Sequence, residues 1–176
     1  MSLRLQTQQE SSMHQLVQHL DAAYNLARWL MRDTHDAEDM VQEAYARALH
    51  HIAGFSGLNG RAWLLTIVRN CCYDYFKRNG IRYQDGAFDE ETHVATTKAC
   101  DPEAVLLSKE SAERLKVALT ELPPNYREVL VLRELEELSY KEISGIVGVP
   151  MGTVMSRLSR ARNQLQQNLA GRAATA

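Results

Sequence analysis

Apolar residues recur at intervals of three and four along most of this chain and show no strand-type alternation, a pattern that predicts helices throughout. From Ser12, the positions Leu16, Leu20, Ala23, Ala27, Leu30 and Met31 form one apolar face, which Asp33-Thr34-His35-Asp36 interrupts. Asp36, with Asp39 three residues on, resembles a helix start, and Ala37, Met40, Val41, Ala44 and Ala48 form the buried stripe of a second helix. Three glycines from Gly54 to Gly60, around Phe55 and Leu58, signal a loop. A third helix is expected from about Arg61 to past Lys77, burying Leu64, Ile67, Val68, Cys71 and Tyr75, with Trp63 also assigned to the core.

Beyond Gly80 the periodicity fades into a segment with Gly86 and the acidic run Asp89-Glu90-Glu91. Asp101-Pro102 opens another helix, with Leu106, Leu107 and Leu115 among its apolar residues, and Leu122-Pro123-Pro124 stops it. Pro124 opens a further helix through Tyr126, Val129, Leu130 and Leu132. Ser139 is a good N-cap for a short helix carrying Ile143, Ile146 and Val147, which Gly148 ends. After Pro150 and Gly152, a last helix places Val154, Leu158, Ala161 and Leu165 on one stripe and Met155, Ser156, Ser159, Arg160 and Asn163 on the opposite face. The expected fold is all-α: two small helical domains, 12–84 and 102–170, joined by an acidic flexible linker, 85–101.

Charge sharpens that division. The chain of 176 residues carries a net charge of -2, but Lys and Arg against Asp and Glu number 9 to 8 over Met1–Gln84, 2 to 8 over Asp85–Glu113, and 9 to 6 over Arg114–Ala176. From Met151 onward the charged residues are Arg157, Arg160, Arg162 and Arg172, all basic. No apolar run approaches the roughly 18 residues of a membrane span, and the N-terminus lacks a signal-peptide pattern, so a cytoplasmic location without membrane insertion is expected. The adjacent Cys71 and Cys72 fit neither a disulfide framework nor a zinc clip. No metal or cofactor is expected.

Three surfaces have a chemistry of their own. On the second helix, Asp39, Gln42, Glu43 and Ala46 share an outward face of negative charge, which on spacing alone reads as a solvated face before a docking one. On the third, Thr66, Arg69, Asn70, Tyr73 and Lys77 combine cation, amide and aromatic, the mixture on which single-stranded nucleic acid stacks and tracks. The pair of helices after Ser139 is a helix-turn-helix pattern whose second member has the size and one-signed charge to enter a DNA major groove. His50 and His51 lack the i, i+4 spacing of a helical metal pair, and no G-x-S-x-G, phosphate-loop or paired-carboxylate pattern appears, so an enzyme is not expected.

Taken together, DAEDMVQEAYARA at Asp36–Ala48, RAWLLTIVRNCCYDYFKR at Arg61–Arg78 and LPPNYREVLVLRELEELSYKEISGIVGVPMGTVMSRLSRAR at Leu122–Arg162 resemble, in order, the polymerase-binding, minus-ten and minus-thirty-five segments of bacterial RNA polymerase sigma factors of the extracytoplasmic-function class. The resemblance implies that Asp39, Gln42 and Glu43 dock on a coiled coil of core RNA polymerase. It implies that Asn70 and the Phe55–Gly60 loop, together with Asn59, Arg61, Trp63, Arg69, Tyr73 and Lys77, meet the minus-ten promoter DNA. Met155, Ser156, Ser159 and Arg160, with Ser139, Tyr140, Thr153 and Arg157, would meet the minus-thirty-five element. An anti-sigma factor is the implied regulator. Met155 departs from the family, which usually has Lys or Arg there, and this implies a weaker or different contact at that base. The loop before Trp63 is also short. Two other readings fit parts of the sequence: a sigma-like decoy that sequesters an anti-sigma factor, and a stand-alone helix-turn-helix regulator, which leaves Asp36–Ala48 unexplained.

Overall fold

The computed structural model describes residues 16–31, 33–52, 59–81 and 109–173, with side chains of the last stretch described from 113 to 171. Among the described residues seven α-helices follow one another: α1 Leu20–Leu30, α2 Thr34–His51, α3 Gly60–Arg78, α4 Lys109–Thr120, α5 Pro124–Leu130, α6 Tyr140–Val147 and α7 Met151–Ala173. A π-helical segment, Val131–Leu135, extends α5. Among the described residues there is no strand. The expected linker, the Phe55 loop tip, the start of the first helix before Leu16, and the helix opening at Asp101-Pro102 with Leu106 and Leu107 lie outside the described residues.

The helix starts are set by side chains that take up unpaired backbone N–H groups. Asp33, rather than Asp36, caps α2: its backbone is extended, and its carboxylate accepts from the N–H groups of His35 at 2.7 Å and Asp36 at 3.2 Å. Asp36 is already the third residue of α2, where its carboxylate instead accepts from the Tyr75 hydroxyl at 3.0 Å. Asn59 caps α3 through the Ala62 N–H at 3.0 Å. Ser139 and Glu142 form a reciprocal capping box on α6. Gly148 ends that helix at φ 74°, a left-handed conformation that costs residues with a Cβ about 1–2 kcal/mol.

Helices α1 to α3 form the N-terminal body. The α2 stripe is buried as the spacing predicts, at Ala37, Met40, Val41, Ala44 and Ala48. Leu20 is not: it is 46% exposed at the first position of α1, because a turn after Val17 shifts the buried face to Ala22, Ala23, Leu26, Ala27 and Leu30. On α3 the expectation also needs correcting. Leu65, Cys72 and Phe76 are buried along with Leu64, Val68 and Cys71, whereas Ile67, Tyr75 and Trp63 are only partly buried. The reason is that α3 is packed against α1 and α2 and, in addition, against α6 of the C-terminal body.

In that second body Val129, Leu130, Val131 and Leu132 meet Ile143, Ile146 and Val147 of α6 and Val154, Leu158 and Ala161 of α7 in the buried core, each large side chain contributing about 2 kcal/mol. Arg127 joins the bodies. Almost fully buried, its guanidinium donates to the carbonyls of Leu119, Thr120 and Leu122 and, across the interface, to Trp29 at 2.8 Å. Its donors satisfy carbonyls at the end of α4, and so fix α4, α5 and α1 together.

Candidate nucleic-acid interface

The third helix presents two faces toward polar partners, and they differ in what covers them. Asn70 and Lys77 are exposed. Asn59, Arg61, Arg69 and Tyr73, by contrast, meet the C-terminal body. The Arg69 Nε donates to Glu128 Oε2 at 2.8 Å and its Nη2 to Oε1 at 3.3 Å, with the guanidinium carbon 4.2 Å from the centre of the Tyr73 ring. Arg61 pairs with Glu136, which also accepts from Asn25 Nδ2 at 3.2 Å. The Asn59 amide donates to Glu142 at 3.2 Å. Trp63 is half-buried against the core, and Phe55 lies outside the described residues.

Glu128 is the centre of this contact. Its side chain is fully buried, and a second cation, Arg157 from α7, stands 3.7 Å from Oε1. Burial pushes its carboxyl above the ordinary range, against the pull of Arg69, Tyr73 and Arg157. Neither Glu128 nor Glu136 stands out in the sequence. Glu128 sits between Tyr126 and Val129 in a helix whose apolar periodicity is satisfied without it, and only a contact across 59 residues of chain explains why it is buried.

The helix-turn-helix forms as the spacing predicts, α6 and α7 meeting across Gly148-Val149-Pro150. The Ser144 hydroxyl donates to the Val149 carbonyl at 2.6 Å and so ties the turn to α6. On the outer face of α7, Met155, Ser156, Ser159 and Arg160 are exposed, and Met155 is 51% so. Thr153 and Tyr140 are half-buried, the latter under the Arg133 guanidinium at 5.1 Å, and Ser139 is exposed. Arg157 turns inward to Glu128 and does not share the outer face. The exposed outer face is therefore mostly uncharged, with Arg160 as its cation.

On α2, Asp39 and Gln42 are exposed and Glu43 half-buried. Together with Met40 and Ala46 they line a shallow groove whose other wall is Tyr75, Arg78 and Asn79 at the end of α3. That second wall has no signal in the α2 spacing, since it arises from the crossing of the two helices. Glu43 holds Arg47 at 2.8 Å, and Arg47 reaches on to Asp74 at 3.0 Å, so the Glu43 side chain is tied to α3. Among the described residues no cluster of His, Cys, Asp and Glu could hold a metal, and no helix is long and apolar enough to cross a membrane.

Comparison with known proteins agrees with this two-body arrangement. Residues 16–81 match the family model Sigma-70 region 2, and residues 112–165 match Sigma-70, region 4. The chain is 36% identical over 153 residues to the ECF RNA polymerase sigma factor SigE of Mycolicibacterium smegmatis, covering 87% of this chain but only 59% of that protein. It is 32% identical over 148 residues to the RNA polymerase sigma factor YlaC of Bacillus subtilis, covering 82% of this chain and 85% of that one. Among solved structures, the sigma factor RpoE of Bartonella quintana, crystallised with the anti-sigma factor NepR, superposes with a TM-score of 0.68 at 32% identity, covering 89% of this chain and 95% of that one. The identity over most of its length to these relatives, and the two family regions in their order, place the chain in the sigma-70 family, among the ECF RNA polymerase sigma factors.

Proposed function

We propose that this chain gives core RNA polymerase its promoter specificity: the N-terminal body (12–84) docks on the enzyme and captures the minus-ten element, and the C-terminal body (102–170) reads the minus-thirty-five element as duplex. The observation that carries the reading is the coexistence, on one short chain, of an acidic groove on α2 and two separate exposed polar faces, Asn70 and Lys77 on α3 and Ser156, Ser159 and Arg160 on α7. A stand-alone regulator needs only the last of these.

The roles follow from chemistry. Asp39, Gln42 and Glu43 offer acceptors to a basic protein surface, with Tyr75 and Arg78 completing the groove. Asn70, Tyr73 and Lys77 supply an amide for a base edge, a ring for stacking and a cation for phosphate, so that melting is driven by capture of unstacked bases. Ser156, Ser159 and Arg160 face the major groove, and Arg160 suits guanine or phosphate. Each body alone presents few contacts, so affinity depends on both acting together once fixed on the enzyme. The chain performs no bond chemistry of its own in this scheme and works in the cytoplasm, where polymerase is. An anti-sigma factor covering these same faces is the expected regulator; the Bartonella relative's complex with NepR supports that expectation.

Size-exclusion chromatography of the purified chain with core polymerase tests the first step. Co-elution at stoichiometric ratio is expected; separate elution under all salt conditions would overturn the proposal.

A further inference from the structure

The outer face of α7 begins with two large apolar side chains in water. Met151 and Met155 are each 51% exposed, and at four residues' separation they lie one above the other on the helix. The helix is held to its body by Val154, Leu158 and Ala161, so neither methionine serves the core. Met151 is the first residue of α7, and the N-terminal residues of a helix lying in the major groove are those that meet base edges. The side chains around the pair have few donors to offer. Arg157 turns inward, 3.7 Å from Glu128. The Ser156 hydroxyl donates to the Thr153 carbonyl at 3.0 Å, so what it keeps for a partner is its lone pairs. Guanine presents only acceptors in the major groove, O6 and N7, and a thioether laid over them leaves them unpaired. Thymine alone offers an apolar group there, its 5-methyl. An unbranched, polarizable methionine adapts its end to such a group.

We propose that Met151 and Met155 form an apolar lip that reads the 5-methyl groups of thymine in the minus-thirty-five duplex and selects against guanine at the same base pairs. The inference rests on the reading of α7 as the duplex-reading helix, and it names the base that the first two turns of that helix take. Four residues rise about 6 Å along the helix, close to two base-pair steps of about 3.4 Å. The methyls are therefore read on base pairs no more than two steps apart. Ser156, which offers an acceptor beside the lip, suits the amino group of adenine or cytosine. Specificity at this end of the helix then comes from shape and from unpaired acceptors on the wrong base, while Arg160 supplies the charged contact farther along.

The test separates the methyl group from the base pair that carries it. The full chain, bound to core polymerase, selects duplexes from a pool randomised across the minus-thirty-five region. In the selected duplex each thymine is replaced in turn by uracil, which lacks only the methyl, and each thymine–adenine pair by cytosine–guanine or 5-methylcytosine–guanine. At one or two positions within the reach of the lip, uracil is expected to weaken binding about fourfold, the worth of one buried methyl group. There 5-methylcytosine is expected to bind more tightly than cytosine by a similar factor. Met151→Ala with Met155→Ala should remove both differences without loss of fold, because both positions are exposed and alanine favours the helix. Leucine at both positions should keep them, since the contact needs apolar bulk and not sulfur. Uracil equal to thymine at every position, or a uracil effect undiminished in the double alanine variant, overturns the lip. Arg160→Ala separates the two ideas. If it leaves binding to the selected duplex unchanged, or if no sequence is enriched, the assignment of α7 fails and the lip with it; if it weakens binding while uracil does not, only the methyl reading fails.

Discussion

Arg69 of α3 and Glu128 of α5 form an ion pair at 2.8 Å, with the arginine side chain 17% exposed and the glutamate fully buried. The pair is one of several contacts that hold the two bodies together, beside Arg127–Trp29 and Arg61–Glu136, and it leaves a charge at risk on one side only. Arg69→Ala strands Glu128 in the interface, with Arg157 as the remaining cation at 3.7 Å. The expected loss is about 3 kcal/mol, whereas Arg69→Met with Glu128→Met restores most of it, because the stranded charge is gone. Urea unfolding of the three chains measures both. Equal stability of wild type and Arg69→Ala would mean that the pair contributes nothing.

Docking is tested on α2. Glu43 is a poor probe because it also holds Arg47, which reaches Asp74. Asp39→Lys inverts charge at an exposed position of the groove wall. It should abolish co-purification with core polymerase while changing stability by less than about 0.5 kcal/mol. Retained binding, with circular dichroism unchanged, would return this face to an ordinary solvated surface.

Upstream recognition depends on the outer face of α7. Met155→Arg adds a cation beside Arg160 on an exposed, mostly uncharged face. Affinity for minus-thirty-five duplex should rise, with the slope of log K against log salt steeper by about 1. Arg160→Ala should cost about 1–3 kcal/mol on the same duplex. Electrophoretic mobility shifts over a salt series check both; an unaltered slope for Met155→Arg would place position 155 away from the DNA.

The helix-turn-helix should also weaken in acid. Hydrogen bonds from Ser139 hold the Glu142 carboxyl below its ordinary range. A carboxylate depressed in the folded state contributes stability that is fully present above its unfolded value, 4.5, and is lost as pH falls through the lower, folded one. Ser139→Ala should lower stability by about 1 kcal/mol near neutrality and flatten that acid dependence. Thermal melts of both chains across the acid range are the check. Parallel curves would show that the capping box does not set it.

What the sequence revealed follows from how far each signal extends along the chain. The stripe Ala37, Met40, Val41, Ala44 and Ala48 and the stripe Val154, Leu158 and Ala161 were legible because one helix period generates each. Gly148 was legible because a left-handed residue at φ 74° favours glycine. The start of α2 was displaced from Asp33 to Asp36 because both are acceptors near a helix end, and only the extended backbone at Asp33 decides between them. Burial of Leu65, Cys72 and Phe76, and of Glu128 and Glu136, was not legible. It arises where α3 is flanked on more than one side, through contacts such as Arg61 with Glu136 across 75 residues, and such contacts leave no local periodicity. The faces of α2 and α7 proposed for docking and reading were found from spacing and resemblance; the groove wall of Tyr75, Arg78 and Asn79 required the crossing of two helices.

The most direct measurement is run-off transcription by core RNA polymerase on a library of genomic promoter fragments, with and without the purified chain. The account predicts discrete transcripts from a small set of fragments only when the chain is present, and their loss with Asp39→Lys. Core polymerase that gains no promoter-specific transcript, despite binding the chain, would contradict it.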